Sequence, residues 1–247
     1  MGGKVYSRNM EQESDMGDGG KYSVRHENMN SGGGESGQMQ PQAIYGFSLL
    51  QGLRGNPMED FHIAEFRDID GEETGLFGII DSHGGPAVGK HVQHHLFNNI
   101  LSEGGVHLDP AGATRDGYLL TDRNVLESSL EGGCSAVTAM LVDHGSRLIV
   151  ANVGDARAVL AKNGRAVQLS VDHDPGSPTE RASVERRGGM VTQIPGIRCG
   201  VFSKPISPCS CTVVFCLSDH SCSSPCAYIV NFSHEMIMYS ACDIFSE

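Results

Sequence analysis

The chain has 247 residues, of which 18 are basic and 30 are acidic, so its formal net charge is −12; hydrophobic residues make up 39% of it. This acidic balance excludes, as a first interpretation, a broad basic surface that binds a nucleic-acid backbone. The sequence has no apolar run of about 18 residues and no hydrophobic signal region. We therefore expect an intracellular protein, cytoplasmic or nuclear, with no nucleic-acid and no membrane partner.

Composition divides the chain into three segments. Residues 1–41 carry nine glycines and no apolar period, which predicts a disordered segment. Residues 42–196 alternate strand-like and helix-like patterns and predict a folded domain. Residues 197–247 hold seven of the eight cysteines, and no period is sustained in them, so we expect a divergent tail.

The first half of the predicted domain mixes strands with helices. AIYGFSLLQG, FHIAEFRDI and LFGII are typical of strands, and Asp70-Gly71 predicts a turn after the second of them. Pro86 is a favoured first helical residue and opens a predicted helix. A second helix is expected to start at Asp109-Pro110 and to run to about Leu130.

The second half of the domain is richer in strands. SAVTAMLV, RLIVANV, ARAVLA and RAVQL follow one another closely, and Asn163-Gly164 predicts a tight hairpin between the last two. Ser177 and Glu180 form a capping box, which predicts a helix near 178–187 and then a strand over 190–193. Clustered strands with few helices favour an α+β fold in which antiparallel sheets carry helices on their outer faces.

Three acidic residues lie where predicted strands begin or end, namely Asp60, Asp81 and Asp155. Short carboxylates at strand ends can converge on a hard cation such as Mg²⁺ or Mn²⁺. Two glycines after His83 would let a phosphate approach the backbone there. The alternative is that Asp60 belongs to a solvated acidic pair and that Asp81 only forms a turn.

Five motifs in order carry a family resemblance: GFSLLQGLRGNPMEDFHIAEF, LFGIIDSHGG, GGCSAVTAML, LIVANVGDARAV and LSVDHDP…ER…GGMV. Together they resemble the metal-dependent PP2C-type serine/threonine protein phosphatases, especially plant members, over about residues 42–196. The resemblance implies an α-β-β-α sandwich of antiparallel sheets flanked by helices. It also implies phosphoprotein substrates, and we expect a monomer.

The resemblance implies a binuclear Mg²⁺ or Mn²⁺ centre. Asp60 and Asp81 resemble its carboxylate ligands, with Asp81 shared by both ions. Ser82 stands where the family usually has Gly, whose backbone carbonyl binds a metal; a Cβ there would restrict the backbone if the turn needed a positive φ. Asp155 resembles a ligand of a third metal ion.

Two further residues resemble catalytic groups. His83 corresponds to the general acid that protonates the leaving oxygen, and imidazole titrates in a useful range for that role. Arg54 corresponds to the residue that clamps the substrate phosphate, which a guanidinium fork fits well. For His91 and His95, which share a helix face, we expect packing or solvent roles.

The family pattern is not recognisable after Gly196. An Asp-Gly-x-Trp segment with further metal ligands is absent, and the run TVVFCLSDHSC is interpreted as a chance likeness to it. The tail is expected to come from alternative splicing or a misassigned gene model, with a cysteine and histidine zinc site as the alternative. The fold is therefore expected to be incomplete. The alternative function is a truncated, catalytically weak or inactive form that acts as a binding or regulatory protein.

Overall fold

The computed structural model describes residues 29–50, 58–102, 105–192, 200–202, 212–216, 228–231 and 235–239, which form thirteen strands and three helices. The helices are α1 (Ala87–Ser102), α2 (Pro110–Glu127) and α3 (Pro178–Arg186). The strands are β1 (Met29–Glu35), β2 (Ile44–Leu50), β3 (Asp60–Ile69), β4 (Glu72–His83), β5 (Gly133–Val142), β6 (Arg147–Val153), β7 (Arg157–Lys162), β8 (Arg165–Gln168), β9 (Met190–Thr192), β10 (Gly200–Phe202), β11 (Thr212–Cys216), β12 (Tyr228–Asn231) and β13 (Glu235–Tyr239).

Two antiparallel sheets form the centre of the fold. The five-stranded sheet has the order β11-β6-β5-β4-β3, and the six-stranded sheet has the order β1-β2-β12-β13-β7-β8. Side chains from both sheets share one core cluster, in which Phe77, Val137 and Leu160 are almost fully buried. Since side chains alternate along a strand, Ile79 points into this sandwich core whereas Ile80 points to the opposite face of its sheet.

Helices α1 and α2 cover that opposite face of the five-stranded sheet. Leu76, Ile80 and Leu96 belong to the second core cluster, which joins the sheet to the helices. The helices approach closely at Gly117, where an added Cβ would lie 2.5 Å from Ile100 Cγ1. The α+β class is confirmed, and the described residues supply three of the four expected layers. Within these residues, no helix is both long enough and apolar enough to cross a bilayer.

Local sequence signals mark the ends of several elements. Asp109 caps α2 and its carboxylate accepts from Gly112 N at 2.9 Å. Ser177 caps α3 in the same way and accepts from Glu180 N at 3.2 Å. The predicted hairpin at Asn163-Gly164 joins β7 to β8, and both residues have positive φ. Turn and capping chemistry therefore gave reliable boundaries.

The prediction that residues 1–41 are disordered is wrong for residues 29–41; residues 1–28 lie outside the described part of the chain. Residues 29–35 form β1, which pairs along its whole length with β2. The following loop is held by the Glu73 carboxylate, which accepts from the backbone N–H groups of Gly37, Gln38 and Met39. Met39 is 1% exposed and belongs to the sandwich core. Tertiary contacts order a segment whose glycine content disfavours a strand.

The tail also contributes strands, although no sustained period in its sequence predicts them. The apolar run treated as a chance likeness forms β11 and pairs with β6. Strands β12 and β13 form a hairpin that fills the six-stranded sheet between β2 and β7. The candidate zinc ligands of the tail lie outside the described residues; they are Cys209, Cys211, Cys222, Cys226, His220 and His234.

Candidate metal centre and active site

The predicted site residues gather along one edge of the five-stranded sheet, namely the edge at which its strands begin or end. Because its strands are antiparallel, β3 begins, β4 ends, β5 begins and β6 ends at the same edge. Asp60 on β3 lies directly opposite Asp81 on β4, and Asp81 lies opposite Ser135 on β5. The three side chains therefore form a row on the face that points into the sandwich.

Two of the three residues in this row, Asp81 and Ser135, are buried. Asp81 is 6% exposed and Ser135 is 5% exposed. The Ser135 hydroxyl has no hydrogen-bond partner among the described residues. Beside it, Gly154 has φ +88° and approaches so closely that an added Cβ would lie 2.4 Å from Ser135 Cβ. The sequence does not mark Ser135 as a site residue, because its position in the row comes from cross-strand pairing rather than from a motif of its own.

The neighbouring Asp81 perturbs the carboxyl group of Asp60. Burial raises the pKa of Asp60 to about 6, and the adjacent Asp81, both as a charge and as a hydrogen-bond partner, adds to this rise. Two carboxylates at neighbouring positions repel when both are ionised. A divalent cation would remove that repulsion and would select the ionised, oxygen-only ligands that Mg²⁺ and Mn²⁺ prefer. The donor chemistry of this pair therefore fits a hard cation.

Asp155 lies at the same edge, just after β6, and its side chain is exposed. The turn before it is fixed by His173. Its ring Nδ1 accepts from Gly154 N at 3.2 Å, and its backbone N–H donates to Gly154 O at 2.9 Å. Asn152 Nδ2 also donates to Gly154 O, at 3.0 Å. Burial lowers the pKa of His173, which keeps Nδ1 free to accept. The motifs ANVGD and LSVDHDP contain these two positioning residues, although sequence analysis assigned them no role.

The edge does not form a closed cage. Across the described ranges, no three His, Cys, Asp or Glu side chains surround a common point. Asp60 and Asp81 are brought into contact, whereas Asp155 sits at the same edge on the far side of β5. The predicted roles of these carboxylates as metal ligands remain predictions.

Ser82 points away from this row, to the helix side of the sheet. It belongs to β4 and is not among the described residues with positive φ, so the strain considered from its sequence position does not arise. Its hydroxyl is buried and has no hydrogen-bond partner among the described residues. A Cβ added to Gly89 of α1 would lie 1.8 Å from Ser82 Oγ. Gly89 therefore lets α1 pack closely over Ser82, and the predicted role of the Ser82 carbonyl stays a prediction.

His83 ends β4 and is exposed at the sheet edge. It lies opposite Gly133, where an added Cβ would be 2.8 Å from His83 Nε2. Gly84 and Gly85 follow with φ of +76° and +112°, a region that L side chains rarely adopt. Glycines on both sides thus leave room around the imidazole. Arg54, the predicted phosphate clamp, lies outside the described residues.

The sequence matches known proteins over the same region. The family model described as Protein phosphatase 2C matches residues 45–203. The chain is 46% identical over 171 residues to Probable protein phosphatase 2C 17 of Arabidopsis thaliana, covering 68% of this chain and 59% of that protein. It is 45% identical over 174 residues to Probable protein phosphatase 2C 41 of Oryza sativa subsp. japonica, covering 69% and 60%. The chain thus spans less than two thirds of the length of these relatives.

Two solved structures share the fold. A serine-threonine phosphatase 2C from Toxoplasma gondii superposes with a TM-score of 0.51 at 15% identity, covering 84% of this chain and 78% of that one. A C. elegans sex determining protein superposes with a TM-score of 0.56 at 19% identity, covering 76% and 48%. At these identities the likeness concerns the fold alone.

Proposed function

Because this chain belongs to the protein phosphatase 2C family, we propose that it hydrolyses phosphoserine and phosphothreonine in proteins, with Mg²⁺ or Mn²⁺ as cofactor. The family is metal-dependent, and its relatives here are named protein phosphatases. The single observation that carries the proposal is the contact between Asp60 and Asp81 at the strand edge. It provides a paired anionic site next to an exposed imidazole.

In this proposal Asp60 and Asp81 would hold two divalent cations, the backbone carbonyl of Ser82 would be a further ligand, and Asp155 would be a ligand of a third ion. Bound cations of this kind activate water as a nucleophile and offset charge on phosphoryl oxygens. The contribution of the chain itself is to hold the carboxylates on adjacent, rigidly paired strands. Rigid strands are a more precise support than loops for such a constellation.

His83 is proposed as the general acid that donates a proton to the oxygen of the departing serine or threonine. Its exposure would let it reach a bound phosphoprotein, and its position two residues after Asp81 in β4 places it on the same face of the strand as that proposed ligand. Gly84 and Gly85 leave the backbone accessible before α1 begins. Arg54 is proposed to hold the substrate phosphate. We further propose that the protein acts as a monomer inside the cell, in the cytoplasm or the nucleus.

The test is hydrolysis of a phosphothreonine peptide by the full chain with Mn²⁺ and with a chelator. We expect chelation to abolish turnover, and His83→Ala to lower kcat by roughly 100-fold, the usual scale for a lost general acid. His144→Asn is the matched control, because His144 is also exposed but lies in the turn between β5 and β6 at the opposite edge of the same sheet. Turnover that survives chelation and is equal in all three proteins would contradict the proposal.

A further inference from the structure

Two histidines on α1 take no part in the proposed reaction. His91 and His95 are four residues apart, which places them on the same side of the helix. Their ring centroids are 4.4 Å apart with an interplanar angle of 37°. The two imidazole rings are therefore in direct contact and do not behave as two separate surface side chains.

The environment leaves this pair ready to bind a ligand. His91 Nε2 is enclosed and has no hydrogen-bond partner among the described residues, whereas His95 is exposed to solvent. An enclosed ring nitrogen without a partner is a cost that a bound ion would remove. Burial, followed by the charges of His95 and His94, lowers the pKa of His91. At neutral pH its ring is thus in the neutral form that binds metals.

The neighbouring His94 shows the difference. It lies on another side of α1, is exposed, and its Nδ1 contacts Lys90 O at 2.6 Å. One of its ring nitrogens is therefore already engaged with the helix backbone. His94 is a histidine of the same helix and is exposed like His95, but its ring does not take part in the contact between His91 and His95, which makes it a natural control.

We propose that His91 and His95 form a two-nitrogen site for a borderline first-row transition ion, such as Zn²⁺, Ni²⁺ or Cu²⁺, with water filling the other positions. Imidazole suits these ions, whereas Mg²⁺ and Ca²⁺ prefer oxygen ligands. Metal to nitrogen distances in such sites are about 2.0–2.1 Å and the ion lies in the plane of each ring, so binding requires the two contacting rings to rotate until one nitrogen of each faces the shared ion. The site differs in ligand chemistry from the carboxylate edge, so the two would select different metals.

A bound ion would link two successive turns of α1. The helix begins at Ala87, only four residues after His83, so such a link would stabilise the segment directly behind the strand edge. Ligands that bind only the folded state raise its stability with ligand concentration. The inference therefore predicts a thermal shift that is independent of phosphatase turnover.

The experiment titrates Cu²⁺ into the full chain under saturating Mg²⁺, which occupies the oxygen-ligand sites. Electron paramagnetic resonance then counts the nitrogens bound to copper. We expect a two-nitrogen signal in the wild type and in the control His94→Gln. In His95→Gln the affinity should fall by roughly tenfold or more, because the second ligand is lost. His91→Gln should behave in the same way.

A second measurement uses Zn²⁺, which should raise Tm in the wild type and in His94→Gln but not in His95→Gln. Since His95 is exposed, its substitution leaves the core intact even if His91→Gln does not fold. Equal copper affinity and equal nitrogen signals in the wild type and His95→Gln would overturn the proposal. Because neither readout involves hydrolysis, failure of the proposed phosphatase activity would leave this result unaffected.

Discussion

The two ends of β4 both carry acidic residues, but in opposite surroundings. At its start, Glu73 accepts three backbone N–H groups and Glu72 accepts from His144 N at 2.9 Å. At its end, Asp81 faces another carboxyl group, that of Asp60. The first arrangement pairs carboxylates with N–H donors of the protein, whereas the second places two carboxyl groups against each other.

This difference separates residues that stabilise the fold from residues that are held in place by it. Hydrogen bonds to a charged acceptor contribute favourably, so the start of β4 anchors the β1–β2 loop. Adjacent carboxylates cost stability unless a proton or a cation lies between them. Removing an acid should therefore have opposite effects at the two ends, and the following substitutions test that.

The largest expected effect concerns metal affinity at the end of β4. Asp81→Asn should weaken Mn²⁺ binding by roughly 100-fold or more, because changes to residues that merely support metal ligands already cost about 10–100-fold. Asp155→Asn should weaken it by less, since Asp155 is exposed and set apart from the carboxyl pair. Calorimetric titration of Mn²⁺ into the three proteins provides the comparison. Equal and negligible binding in all of them would refute the metal assignment.

At the start of β4, Glu73→Ala should lower the free energy of unfolding by about 2 kcal/mol, because three backbone N–H groups lose a charged acceptor. Chemical denaturation in the presence of chelator measures the change. Glu127→Ala is the control, since Glu127 is an exposed residue at the end of α2. If Glu73→Ala were as stable as this control, the carboxylate would not anchor the loop.

Asp60→Asn should have the opposite sign and stabilise the metal-free protein at pH 7 by about 1–2 kcal/mol, after allowance for solvent screening. In the folded state the pKa of Asp60 is raised from 3.8 to about 6. Its protonated form therefore supports the fold below the unfolded value, and this support is lost as pH rises through about 6. Unfolding measured at several pH values should show the variant's advantage disappearing near pH 4. An advantage that is independent of pH would argue against carboxyl repulsion.

The smallest expected effect concerns Ser82. Ser82→Ala removes a buried hydroxyl that lacks a partner among the described residues, so it should stabilise the protein by about 0.5–1 kcal/mol. Ser135→Ala makes the same chemical change in the row beside Asp81 and serves for comparison. Thermal unfolding of both variants measures the gain. A clear loss of stability in Ser82→Ala would mean that the hydroxyl is satisfied after all.

Much of the fold was predictable because its signals are local. The turn at Asp70-Gly71 and the cap at Asp109 depend on residues within a few positions of each other, and both occur where the sequence predicts them. The contact between Asp60 and Asp81 was predictable only as a shared strand edge. That the two carboxyl groups lie directly opposite each other follows only from the register of β3 against β4, which the sequence does not show.

What the sequence did not predict depends on distant partners. In β1, Gly33 packs so tightly against β2 that an added Cβ would lie 2.5 Å from Tyr45 O. Glycine-rich composition suggested disorder, but here glycine permits close approach of two strands. Likewise β11 pairs with β6, a strand far from it in the sequence. Neither β1 nor β11 shows an alternation of apolar and polar residues that would have predicted its pairing.

The order of the six-stranded sheet has a consequence for synthesis on the ribosome. Strand β2 and strand β7 are separated in the sheet by the β12–β13 hairpin, which is the last pair of described strands to be translated. A nascent chain that has reached Gln168 therefore contains β2 and β7 but not the β12–β13 hairpin that pairs with both, so the facing edges of β2 and β7 are still unpaired. Pairings of such high sequence separation form slowly, and open edges invite association with other chains. Chaperone protection of the nascent chain should matter most in the interval before Tyr239 emerges.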